Sequence, residues 1–231
     1  MTAKGQGQKR KAKAVMFELG VRPGERQINT SGVIPEMTTA RAVLIGLMRR
    51  YLKGLLDPFV TLLEAHKLMY FMQVAGEPLD LRYKKGLYGP YAENLRHLLN
   101  EVEGYFTSGY ADGGDEPDKP LELAPSAIED ADAFLKRSAD TRERFDRVAD
   151  LIEGFESDFG LELLSTVHWV VDKEQPRTFD EVATRVYAWD NRKKRFSLRQ
   201  LRIAVEVLSQ KGWIDDAGIT DDAHPALSSA H

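Results

Sequence analysis

The sequence predicts a mainly α fold with small β elements: a helical domain around a buried central helix, then a winged-helix-like unit. Three observations predict it. In "FVTLLEAHKLMYFMQVAG", Phe59, Leu62, Leu63, Leu68, Met69, Tyr70, Phe71 and Met72 cannot share one stripe, and a helix apolar all round belongs at the centre of a fold. Apolar residues at helical spacing recur before and after it, with only short alternating stretches between. From Thr178 onward, the order helix, loop, helix and small hairpin is the plan of a winged-helix unit.

The elements follow in order. Residues 1–14 are polar and basic and predict a disordered tail, which a Gly- and Pro-punctuated linker extends to residue 36. Thr38 caps a helix carrying Leu44, Leu47, Met48, Tyr51 and Leu55. Asp57-Pro58 marks the start of the central helix and Gly76 its end. "LDLRYK" alternates as a half-buried strand, and Gly86 and Gly89-Pro90 turn the chain into a helix with Leu95, Leu98, Leu99 and Val102. After an acidic loop, "LEL" forms a second short strand. Helices then run through Phe134, through Phe145, Val148 and Ile152, and through Leu161, Leu164, His168 and Val171. Thr178 with Glu181, and Ser197 with Gln200, form capping-box pairs before the last two helices, and Gly212 ends the second. "GWI" and "GIT" make the hairpin. The expected units are 1–36, tail and linker; 37–172, helical domain; 173–222, winged-helix-like unit; and 223–231, a second disordered tail.

The chain has 231 residues, 42% hydrophobic and 29% charged, which suits one large domain or two small ones sharing a core. It has no cysteine, which excludes a disulfide framework, a thiolate nucleophile and a zinc ribbon. No apolar run approaches the ~18–20 residues of a membrane span, so the expectation is a cytoplasmic protein without membrane contact. The net charge of −4 is unevenly spread. Residues 1–14 hold five bases and no acid, leaving −9 on the other 217 residues. Eight acids lie between Asp112 and Asp132 against Lys119 alone, so the body of the protein repels a phosphate backbone.

The winged-helix plan and the basic run Arg192, Lys193, Lys194 and Arg195 raise the reading of a DNA-binding regulator, against which stand four aspartates in the adjacent hairpin. None of the five histidines has the spacing of a zinc hydrolase, and His66 and His168 sit in apolar helices as buried structural residues. Glu153, Glu156, Asp158 and Glu162 could be paired carboxylates, but no nucleophile or metal ligand stands near them in sequence. There is no phosphate-binding glycine loop and no nucleophile elbow. The expectation is therefore a protein that is not an enzyme and carries no cofactor and no metal. "YGPY" is different. Its Gly-Pro fixes the backbone, with Tyr88 and Tyr91 on either side, either as an interface or as a packed turn covering the core.

The block "LLEAHKLMYFMQVAGEPLDLRYKKGLYGPYAENLRHLLNEVEGYFTSGYADGGDEP" resembles the C-terminal region of the DarG antitoxins of DarT–DarG toxin–antitoxin systems. "RFDRVADLIEGFESDFGLELLSTVHWV" and "VYAWDNRKKRFSLRQLRIAVEVLSQKGWI" continue the likeness, which covers Met37 to Ile214. The "HKLMYFMQ…GEPL…YGPY" part is more loosely similar to the Panacea (SocA-like) antitoxin domain. The resemblance implies an antitoxin domain that binds and inhibits a DarT-like toxin, an ADP-ribosyltransferase acting on thymidine in single-stranded DNA. It implies occupation of the toxin's DNA site by acidic and aromatic groups, namely Tyr88, Pro90, Tyr91, Asn94, Tyr105, Tyr110, Asp112, Asp115, Glu116 and Asp118. DarG proteins also carry an N-terminal macrodomain that removes the ADP-ribose mark. Fewer than 40 residues precede the matched stretch, so that enzymatic half is expected to be missing. The alternative is a winged-helix regulator of a toxin–antitoxin operon.

Overall fold

A computed structural model describes residues 34–54, 59–110, 113–215 and 219. It is mainly α with small antiparallel β elements, as expected. Helix α1 (Thr39–Leu52) starts where Thr38 accepts from the Arg41 backbone N–H, so the predicted cap is in place. A two-residue strand β1 (Val60–Thr61) leads into α2 (Leu62–Val74), the expected central helix. Every residue from Leu62 to Met72 is buried, including Glu64, His66 and Lys67.

The start of α2 differs from expectation. Asp57 and Pro58 lie outside the described residues, and the cap is Thr61, whose hydroxyl accepts from Glu64 N–H while Glu64 accepts from Thr61 N–H. Two reciprocal bonds satisfy orphan donors at this start.

The second difference concerns the Gly-Pro step. β2 (Tyr83–Gly86) and β3 (Gly89–Ala92) form a hairpin in which Gly86 faces Gly89 and Lys85 faces Pro90, so Gly89-Pro90 opens a strand rather than the turn itself. A two-stranded hairpin has only edges, so a proline there breaks no central ladder. The predicted strand over "LDLRYK" is correspondingly displaced. Leu79–Arg82 is irregular, with Asp80 at φ 54°, and Gln73 brackets it by accepting from Leu81 N–H and donating to Leu81 O.

Helix α3 (Leu95–Val102) follows, then β4 (Thr107–Ser108) and β5 (Pro120–Leu123). β5 pairs antiparallel with both β1 and β4, giving a small sheet in the order β1-β5-β4. Helices α4 (Pro125–Leu135), α5 (Ala139–Ile152) and α6 (Asp158–Glu174) pack around α1 and α2. α7 (Phe179–Trp189), a 3-10 turn at Asn191–Arg195 and α8 (Leu198–Gln210) close the other side of α6. The Ser197–Gln200 capping box is present. Thr178 accepts from Glu181 N–H as predicted, but Glu181 reaches back to Arg177 N–H instead. One continuous core runs from Ala42 in α1 to Leu208 in α8, with Trp213 folded back edge-on to Phe71 at 5.5 Å. Of the hairpin expected at "GWI" and "GIT", residues 212–214 form a turn and bend rather than a strand, where Trp213 folds onto the core, and Gly218 and Thr220 lie outside the described residues.

Candidate functional site

The β2–β3 turn is fixed at four points, two supplied by α2, one by α7 and one by the 3-10 turn. The Trp189 indole N–H donates to Gly86 O at 2.8 Å. Lys67 Nζ rises from inside α2 and donates to Pro90 O at 2.6 Å. Tyr91 stacks on the His66 ring at 4.5 Å, and the Arg192 guanidinium lies 4.4 Å over the Tyr88 ring. Gly89 makes this possible: its φ is +101°, and an added Cβ would stand 3.0 Å from Thr166 Oγ1 and 3.6 Å from Lys67 Cε. Only glycine combines that backbone with so close an approach to α6.

Beneath the turn lies a buried charge cluster. Glu162 in α6 is fully buried and accepts from Lys193 Nζ and from Arg195, each at 2.7 Å. Lys193 is fully buried as well. Burial pushes its amine down, and Glu162 partly counters that. Lys67, 2% exposed, is pulled from 10.5 to about 7, first by burial and then by the charge of Lys193. One buried carboxylate faces two cations and a third amine, and loss of the Lys67 proton relieves the surplus.

The acidic segment reaches the same place by a backbone route. The N–H groups of Leu62 and Leu63, orphans at the start of α2, donate to Lys119 O and Pro117 O, each at 2.9 Å. This docks residues 113–119 beside the turn. Between them opens a cleft of about 70 Å³, whose walls include His66, Lys67, Leu87, Tyr88, Tyr91 and Asp115. Burial and then the neighbouring Asp115 carboxylate push the Tyr91 phenol up to about 12, so it stays protonated and donates to Asp115. His66 is 4% exposed, its ring is driven down to about 3 by burial, and its Nδ1 has no hydrogen-bond partner.

Of the sequence-predicted site residues, the fold brings together Tyr88, Pro90, Tyr91 and Asp115, with Glu116 and Asp118 exposed along the same segment. Asp112 lies outside the described residues. Asn94 is engaged internally, donating to Asp80 O and accepting from Arg82 N–H. Tyr105 is half-buried against the core. Tyr110 is 1% exposed, so its ring is not offered to a surface. Residue-by-residue reading missed Lys67, Leu87 and Trp189. A lysine inside an otherwise apolar helix was the available signal for the first, since such a group needs a dedicated acceptor.

The basic run also changes meaning, because Lys193 is spent on Glu162 inside the protein and Arg195 is paired with the same carboxylate. His168 fits its structural reading, with Nδ1 2.8 Å from the Tyr70 hydroxyl. The four acids resolve into local roles. Glu156 accepts from Gly154 N–H, Asp158 from Thr61 Oγ1, and Glu162 belongs to the buried cluster, while Glu153 lies 3.9 Å from Arg50. Among the described residues, no three His, Asp or Glu side chains converge in a way that could hold a metal ion, and no helix is long and apolar enough to cross a membrane.

Fold and site together define a mainly helical protein that presents a rigid aromatic turn beside an acidic segment. No family model matches the chain. It is 39% identical over 178 residues to a DNA ADP-ribosyl glycohydrolase of Thermus aquaticus, covering 77% of this chain and 48% of that protein. The proteins of the same name from Mycobacterium bovis and Mycobacterium tuberculosis are each 37% identical over 171 residues, 69% of this chain and 49% of theirs. The chain thus spans about half the length of the curated relatives it matches. This likeness supports the DarG family read from the sequence. It also corrects one expectation. The chain was expected not to be an enzyme, yet over most of its length it aligns with proteins that carry an enzyme's name. The expectation rested on missing linear motifs and on the macrodomain expected to be missing, whereas an active site is a convergence of side chains in space that no fixed spacing need announce.

Proposed function

We propose that the chain works in a DarT–DarG type toxin–antitoxin system and binds a DarT-like DNA ADP-ribosyltransferase, covering the toxin's DNA site. The binding region is assigned to residues 37–172 and the expected winged-helix-like unit to 173–222. The observation that carries this reading is the clamped Tyr88–Tyr91 turn with exposed Asp115, Glu116 and Asp118 beside it. Carboxylates stand in for phosphates and a pre-organised ring for a base, so little entropy is lost on docking. The activity named in the relatives, on ADP-ribose attached to DNA, is proposed for the protein as a whole. Release of ADP-ribose from modified single-stranded DNA tests it, and no release sinks it.

The binding reading is tested with a purified DarT-like toxin and surface-immobilised chain. Neutralising Asp115, Glu116 and Asp118 together should slow association and flatten its salt dependence, at a cost of about 1–3 kcal/mol. Tyr91→Ala should speed dissociation. Association that ignores the first change, together with dissociation that ignores the second, overturns the reading.

A further inference from the structure

We infer that the cleft between α2 and the β2–β3 turn receives an arginine side chain of the protein partner, its guanidinium held between the Tyr91 ring and the Asp115 carboxylate; this rests on the toxin-binding reading above. The size of the cleft sets the class of occupant. About 70 Å³ takes a group of a few heavy atoms, well short of the roughly 300–1,000 Å³ of a small-molecule or cofactor pocket. An inserted side chain fits where a nucleotide does not.

The chemistry of the walls selects the side chain. Asp115 is exposed at the mouth, with Glu116 and Asp118 on the same segment, so the entrance favours a cation. The molecule already shows that its turn accepts a guanidinium on an aromatic face, because Arg192 lies 4.4 Å over Tyr88. A planar guanidinium stacks on a ring while its N–H groups reach a carboxylate in the plane, which an ammonium cannot do. His66 adds a second, independent sign. It lines the cleft, is 4% exposed, and its Nδ1 lacks a partner. A buried nitrogen without a hydrogen bond is costly, and in the Nε2–H tautomer it is an acceptor for a second guanidinium N–H. The ring is held neutral by burial and does not repel an incoming cation. Lys67 lies at the floor with its Nζ turned to Pro90 O.

The test uses the full chain, isotope-labelled, titrated with N-acetyl-arginine methylamide and with the citrulline analogue, which has nearly the same shape and no charge. Saturable amide shifts confined to residues 86–91 and 113–117 are expected with arginine. Citrulline, or Asp115→Asn titrated with arginine, should bind roughly tenfold more weakly. Asp115 is exposed, so its variant keeps the fold, which an unchanged melting temperature checks. No saturation with arginine, or equal affinity for citrulline, overturns the inference. Toxin capture by the unmodified chain is measured separately: capture without arginine saturation sinks this inference alone. Arginine saturation without capture upholds the cleft and sinks the toxin as its partner.

Discussion

Replacing Lys67 with methionine keeps an unbranched stem in the core and removes the amine that holds Pro90 O. The structure sets two opposing terms. Losing the Nζ–Pro90 bond leaves a buried carbonyl unsatisfied, at a cost of about 1–3 kcal/mol. Against that, the wild-type amine is held near 7 rather than 10.5, so the ionised form is worse in the folded protein by up to about 5 kcal/mol. Because the folded value lies below the unfolded one, the unfolded chain binds the extra proton between pH 7 and 10.5, and stability rises with pH across that window. Below pH 7 the full penalty applies. Lys67 should therefore make the wild type about 3 kcal/mol more stable at pH 9 than at pH 6, and Lys67→Met abolishes that difference. Urea unfolding of both proteins at pH 6, 7.5 and 9 reads it directly. The methionine variant should exceed the wild type by about 2–4 kcal/mol at pH 6 and come within about 1 kcal/mol of it at pH 9. Stability profiles that run parallel for the two proteins would refute the placement of Lys67 as a buried, reluctantly ionised clamp.

Three further outcomes follow from the same geometry. Gly89→Ala meets both a φ of +101° and Thr166 Oγ1 at 3.0 Å, so thermal unfolding should show a loss of about 1–3 kcal/mol. Glu162→Gln leaves the buried Lys193 without its counter-charge and removes the carboxylate partner of the more exposed Arg195; a loss of about 3–5 kcal/mol is expected in denaturant unfolding, and a loss under 1 kcal/mol would contradict the pairing. Glu64 is raised to about 7 by burial, so Glu64→Gln should remove a decline in stability that the wild type shows as pH rises from 4.5 to 7, read by melting temperature across that range.

The sequence by itself determined the helices and several of their ends, though not the start of α2. Apolar spacing is a local property, and caps such as Thr38, Ser197 and Gly212 act within one turn, so both were legible without tertiary information. The all-round apolar stretch identified the central helix for the same reason, since no exposed position can tolerate it. The candidate site was half legible. "YGPY" and the acidic run were visible as separate pieces, and resemblance supplied a reason to join them. Only the tertiary structure decided that Asp115 stands against Tyr91, because that contact depends on two orphan N–H groups of α2 seizing the carbonyls of Pro117 and Lys119. It decided that Gly89-Pro90 lies in a strand, because Thr166, Ser165 and Lys67 crowd it from two helices. It also withdrew Lys193 from the surface and Tyr110 from the interface. A charge or a ring looks the same in a sequence whether it faces water or a buried carboxylate, and its surroundings are settled by residues far along the chain, such as Glu162 for Lys193, 31 positions away, and Trp189 for Gly86, 103 positions away.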